Sequence, residues 1–340
     1  MICEGPGVAA GMPAVVIATA FGGPEVLSVT DQPTASPGPG EARVEVRAAG
    51  VNPIDWRVYS GMMGADPARL PMRLGQEAAG VLTAVGPGAV GPAGPVAPGD
   101  AVIAFRVSGA YAAELVVPAQ SLVPKPPALD WPQAAGLMVT GAAAWHTLVA
   151  TGVGEGDTVL IHGAAGGVGV MAVQLATARG AAVVATASPA RHDFLRGLGA
   201  VPVAYGDGLA DRVRAAAPGG IDAALDLVGT DEAIDVSLAL VADRGRIATI
   251  AAFGRGAQAG IKVLGGGPGA DPGTEIRAAA RLELARLAQD GKLRVFVTQT
   301  FPLADVAAAH RASMTGHGAG KIALIPQPGT GRPPASGIGS

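Results

Sequence analysis

The chain has 340 residues, 49% of them hydrophobic, a length that suggests two domains and supplies enough apolar side chains for two cores. Its 24 Lys and Arg against 27 Asp and Glu give a net charge of −3 with no basic cluster, which argues against nucleic acid or an anionic membrane as partner. The single cysteine, Cys3, rules out a disulfide framework within the chain and fits a reducing cytoplasm.

Met1 to Gly11 carries no Lys or Arg and no sustained apolar run, so it lacks the parts of a signal peptide. With Met12 directly before the first strand, it reads as a flexible leader or an alternative start. From Ala14 to about Pro127 the pattern is all-β. Val15 to Thr19, Arg43 to Ala48, Ala79 to Val85, Ala101 to Phe105 and Tyr111 to Val117 are short β-branched or apolar runs between Gly and Pro clusters, the rhythm of a small barrel. Trp131 to Gly154 holds no Asp, Glu, Lys or Arg, but its glycines, threonines, Gln133 and His146 make it a buried helix rather than a membrane span. Strands then alternate with helices. Strands fall near Val159, Val183, Val201, Ile221, Ile247 and Val263, and helices over Val168 to Arg179, Ala190 to Leu198, Leu209 to Ala216 and Asp231 to Val241. That alternation implies an α/β fold with a doubly wound parallel sheet. Glu275 to Gln289 is an amphipathic helix; Arg294 to Thr298, a helix around Ala304 to Ser313 and a strand Lys321 to Ile325 return to the barrel. The expected division is residues 13–130 with 293–326 as one domain, 131–292 as the other, and flexible termini at 1–12 and 327–340.

The stretch from Val159 to Arg179 joins an apolar strand to a helix through Ala164-Ala165-Gly166-Gly167-Val168-Gly169. Against the dinucleotide pattern G-x-G-x-x-G, the second and third glycines are Gly166 and Gly169, and the first position is Ala164. Free amides at the helix start, together with its dipole, favour a pyrophosphate there, which makes Ala165, Gly166, Gly167 and Val168 candidate cofactor contacts. An NAD site would end the second strand with an acid for the ribose hydroxyl. Thr186-Ala187-Ser188-Pro189-Ala190-Arg191 has none. Ser188, Arg191 and Tyr205 instead offer hydroxyls and a cation for a 2′-phosphate, so NADPH is the expected cofactor.

With those segments in view, the sequence resembles the medium-chain dehydrogenase/reductase family, in its zinc-independent quinone oxidoreductase (zeta-crystallin-like) branch. Ala48 to Asp55 (AAGVNPID), Leu74 to Gly80 (LGQEAAG), Gly99 to Val102 (GDAV), Val139 to Gly141 (VTG), the glycine turn and Gly316 to Ile322 (GHGAGKI) carry the likeness in order, over Pro13 to Pro326. The resemblance implies a GroES-like β-barrel domain, a Rossmann domain, a cleft between them and a homodimer. It places Asn52 on the nicotinamide ribose or substrate side of that cleft, Thr140 at the nicotinamide, and Phe253 and Lys321 against the cofactor.

Catalytic zinc needs three Cys, His or carboxylate ligands, and structural zinc commonly four thiolates. Asn52 stands where zinc-dependent relatives have a ligand Cys, Gln76 where they have His, and the five histidines are dispersed. No metal is therefore expected. Reduction then rests on a positioned nicotinamide and on hydrogen bonds to the oxygen that gains charge, which suits quinones and enones. The resemblance would put a tyrosine donor at Met63, which has no proton to give; Tyr59 is the nearest phenol, either donor or packing residue, with solvent as the other source. Asp55 and Glu77 read as loop-holding carboxylates. The alternatives are an enoyl thioester reductase, a zinc alcohol dehydrogenase, which the missing ligands oppose, and a non-catalytic NADPH-binding sensor.

Overall fold

The computed structural model describes residues 12–267, 269–316 and 320–326. The expected flexible leader up to Gly11, the tail from Gln327 and His317 lie outside them.

The barrel is organised by Glu41–Val51, whose residues alternate between half-exposed and buried before the last four are buried together. One edge pairs antiparallel with Glu77–Val85; the other is shared by Glu114–Pro118 and, at its far end, by Lys321–Ile325. Val297–Pro302 lies parallel to that returning strand. Residues more than 200 positions apart thus meet at Val51 and Ile322.

The second sheet is entirely parallel. Its order is Val201–Val203, Ala182–Thr186, Thr158–His162, Ala223–Asp226, Ile247–Thr249, Lys262–Val263. Chain order runs outward in both directions from Thr158–His162, so a crevice opens beside it at the carboxyl ends of the strands. Leu209–Ala216 and Asp231–Leu240 pack on strands of this sheet, and Thr274–Gln289 packs on the helix Met138–Thr151.

The span Trp131 to Gly154, expected as one helix, is two: Trp131–Ala135 and Met138–Thr151. Asp130 and Gln133 form a capping box on the first. Gly136 ends the first helix, and a Cβ there would stand 3.0 Å from the Lys321 side chain, so a residue without one lets Lys321 pass. No described helix is long and apolar enough to cross a membrane. The helix expected over Ala190 to Leu198 is a 3-10 turn, Pro189–Arg191, followed by His192–Arg196. A helix not expected, Pro53–Tyr59, starts with Asn52 before Pro53 and Asp55 accepting back from the Asn52 amide.

A single apolar cluster runs from Ile103 and Val123 of the barrel through Leu137, Leu148 and Leu284 to Val159 and Leu225 of the parallel sheet. Each fully buried Leu or Ile there contributes about 1.5–3 kcal/mol, so the seam between the two sheets is held like a core.

Candidate active site

The glycine turn sits at the carboxyl end of Thr158–His162, where the strand order reverses. Gly163, one residue before the expected first position, makes the tight turn with φ of 70°. The next residue, Ala164, donates its amide to the Thr186 carbonyl, tying the turn to the neighbouring strand. A Cβ on Gly169 would lie 2.3 Å from the Gly163 carbonyl oxygen, so only glycine lets the helix Gly167–Ala178 pack this close to the turn. Gly166 caps that helix without a side-chain acceptor, which leaves its first amides aimed outward with the positive end of the dipole.

Across the reversal, Asp226 ends its strand fully buried. It accepts from the amides of Val228 and Gly229 and from the Thr249 hydroxyl at 2.7 Å, while Thr249 accepts from the amides of Ala251 and Ala252. These two side chains fix the loop that leads into the helix Asp231–Leu240 and the loop that leads to Phe253. The sequence reading missed them, although polar residues closing apolar strands were the signal.

Asn52, Thr140, Gly167 and Lys321 come together. Lys321 is 3% exposed and donates to Glu77 Oε1 at 3.0 Å and to Asn52 Oδ1 at 2.5 Å. Asn52 Nδ2 donates to the same Glu77 oxygen at 3.0 Å, and Glu77 Oε2 accepts the Val139 amide at 2.7 Å. Thr140 follows Val139 and donates to the Gly136 carbonyl. A Cβ on Gly167 would stand 3.2 Å from Thr140 and 3.6 Å from Lys321. One buried carboxylate therefore orders Asn52, Lys321 and the first turn of the helix bearing Thr140, beside the uncapped amides. Glu77 holds the loops, as its reading proposed, and the ammonium it faces is compensated rather than solvated.

Ser188 and Arg191 follow one strand of the sheet and Tyr205, 60% exposed, follows its outer neighbour. Phe253 opens the helix Phe253–Ala259 on the opposite side of the reversal, its ring lying where a Cβ on Gly267 would fall. The expected contacts thus flank the crevice along one edge of the sheet.

Tyr59 is not among them. It is fully buried in the barrel core, and its hydroxyl is 2.9 Å from His310 Nδ1. Burial pushes its pKa well above the usual phenol value. Of the two readings the sequence leaves open for Tyr59, donor or packing residue, its place in the barrel core against His310 favours packing. Tyr59→Phe is predicted to leave kcat and KM unchanged and to cost about 1–2 kcal/mol in urea unfolding, the cost of stranding the buried imidazole.

Asp55, beside it, accepts from Tyr111 at 2.7 Å and from the Asn52 amide, and its other oxygen has no partner. Burial, outweighing those donors, pushes its pKa up to about 7. The folded protein then keeps a proton that the unfolded chain releases near pH 4, so this group's stabilisation is present at low pH and lost as pH rises to about 7. Asp55→Asn is predicted to gain on the wild type by up to about 1.4 kcal/mol per pH unit across that window. Parallel melting temperatures at pH 4.5 and 8 check this; a constant difference between the proteins would contradict it.

The described residues hold no group of three His, Cys, Asp or Glu side chains able to take a metal ion. The Asn52 amide is committed to Glu77 and Lys321, so the donor set does not fit catalytic zinc.

Family comparison agrees with this architecture. Residues 38–127 match the alcohol dehydrogenase GroES-like domain, and residues 198–324 match a family described as zinc-binding dehydrogenase. A quinone oxidoreductase of Pseudomonas aeruginosa is 35% identical over 337 residues, covering 90% of this chain and 98% of that one. A spectinabilin polyketide synthase system protein of Streptomyces orinoci is 37% identical over 322 residues, but the chain spans only 14% of its length. A mycobacterial structure complexed with NADPH superposes with a TM-score of 0.79 at 32% identity, covering 92% of this chain and all of that one. The chain belongs to the medium-chain dehydrogenase/reductase family, in its quinone oxidoreductase branch, with a GroES-like domain and a Rossmann sheet.

Proposed function

We propose that the chain reduces a quinone or another α,β-unsaturated carbonyl with NADPH and without zinc. The observation that carries this reading is the convergence of the uncapped amides at Gly167 and Val168 with Thr140, Asn52 and Lys321. The NADPH complex of the mycobacterial neighbour and the Pseudomonas relative support it.

In this reading Ala165, Gly166, Gly167 and Val168 hold the pyrophosphate, Ser188, Arg191 and Tyr205 the 2′-phosphate, and Thr140, Asn52, Phe253 and Lys321 the nicotinamide end. The bound nicotinamide supplies hydride. The chain's own residues orient and exclude water: Lys321 and Asn52, locked by Glu77, keep the crevice wall polar and fixed, which lowers the reorganisation needed as charge arrives on the substrate oxygen. With Tyr59 buried, solvent supplies the proton that completes the quinol or saturated ketone. Residues 13–130 with 293–326 form the catalytic domain, residues 131–292 the cofactor domain, and the protein works as a cytoplasmic homodimer.

Initial rates of NADPH and NADH oxidation with quinones, enones and an enoyl thioester, in chelator, test the reading. Chelator-resistant turnover of a quinone or enone is expected. Turnover of the thioester alone would favour the enoyl reductase alternative. Arg191→Ala is predicted to lower kcat/KM for NADPH about tenfold with little change for NADH, since one charge-assisted hydrogen bond contributes about 1.5–3 kcal/mol. Equal efficiency of the two cofactors in the wild type would contradict the preference.

A further inference from the structure

Three arginines meet across the seam between the barrel and the parallel-sheet domain. Arg106 follows the strand Ala101–Phe105, whose last residue pairs with Glu77, so it stands next to the polar cluster of the active site. It donates to Thr274 Oγ1 at 3.4 Å, and Thr274 opens the helix Thr274–Gln289 that follows the last parallel strand. Arg277 and Arg281 lie three and seven residues further, on the face of the helix that Thr274 shares.

Among the described residues neither Arg106 nor Arg281 has a carboxylate partner, and Arg277 feels the charge of Asp271 without an ion pair to it. Among the described residues, Arg277 meets only the ring of His146 at 3.3 Å, and Arg281 only the carbonyls of Ala278 and Gln120. Arg286 on the same helix, by contrast, is paired with both Glu283 and Asp290. The nearby carboxylate, Asp271, is turned to His146 Nε2 and the Gly273 amide. After burial, the charge of Arg106 is what pulls Arg277 and Arg281 below the ordinary guanidinium range. Arg106 has φ of 58°, the one described non-glycine residue in the left-handed region. Strain of that kind persists where the surrounding structure requires it, and it gathers at binding sites. Like charges held together with so little compensation, one of them next to the residue that pairs with Glu77, are an arrangement for an anion.

We propose that Arg106, Arg277 and Arg281 form an anion subsite, and that the substrate is a quinone or enone bearing a carboxylate, sulfonate or phosphate. The inference rests on the reductase reading above. The test compares menadione, which is neutral, with 1,2-naphthoquinone-4-sulfonate in the wild type, Arg106→Ala and Arg106→Lys. The wild type is expected to favour the sulfonate, and Arg106→Ala to raise its KM roughly tenfold while menadione stays within about twofold. Arg106→Lys keeps part of the preference, and added salt erodes it. Inorganic phosphate is expected to inhibit sulfonate reduction competitively in the wild type and not in Arg106→Ala. Equal losses for both quinones, or none for either, would overturn the subsite. If neither quinone is reduced, the reductase reading fails instead. Calorimetric binding of the sulfonate to the NADPH-loaded protein then decides the subsite, with a roughly tenfold loss in Arg106→Ala upholding it and equal affinity rejecting it.

Discussion

Glu77→Ala is expected to cost about 3–5 kcal/mol of stability and to remove most of the affinity for cofactor. The carboxylate is fully buried and serves three groups at once: the Lys321 ammonium, the Asn52 amide and the Val139 backbone N–H. Its removal strands a buried cation and loosens the start of the helix that carries Thr140. A double variant, Glu77→Gln with Lys321→Met, removes charge and countercharge together, and it should recover most of the stability without recovering cofactor affinity. Urea unfolding beside fluorescence titration with NADPH separates the two effects. Equal recovery of both would mean that Lys321 serves the fold alone.

Gly169→Ala is expected to weaken cofactor binding by at least about tenfold, or roughly 1.4 kcal/mol. The added methyl would meet the Gly163 carbonyl oxygen at 2.3 Å and Ala164 Cα at 2.6 Å, and both are backbone atoms of the turn itself. Relief requires the helix Gly167–Ala178 to move away from the turn, which displaces the amides at its start. Gly154→Ala, where a Cβ meets nothing within 4 Å, is the matched control and should fall within about 0.5 kcal/mol of the wild type. Retained affinity in Gly169→Ala would remove the turn from the cofactor site.

What the sequence made legible was local. The alternation of apolar runs gave all six parallel strands, and the strand-turn-helix spacing marked the crevice, because short-range sterics and burial period decide both. Glu77 was legible as a loop holder, but not as the partner of Lys321, which lies 244 residues away. The choice for Tyr59 between donor and packing residue stayed open for a similar reason. Its environment is set by His310, 251 residues later, and by a short helix whose start, Asn52-Pro53-Ile54-Asp55, carries a capping signal that does not say what the helix packs against. Arg106 and Thr274, separated by 168 residues, give no pattern in the chain at all.

The central claim is hydride delivery from NADPH to an activated carbon–carbon double bond at this crevice. Its most direct test uses cofactor deuterated at both C4 positions of the nicotinamide, a small cyclic enone as acceptor, and mass spectrometry of the product. One deuterium per molecule at the β-carbon, with an equivalent of cofactor oxidised, is the result the structure leads us to expect. Tight NADPH binding with no oxidation by any quinone or enone, or oxidation without deuterium in the enone product, would contradict it.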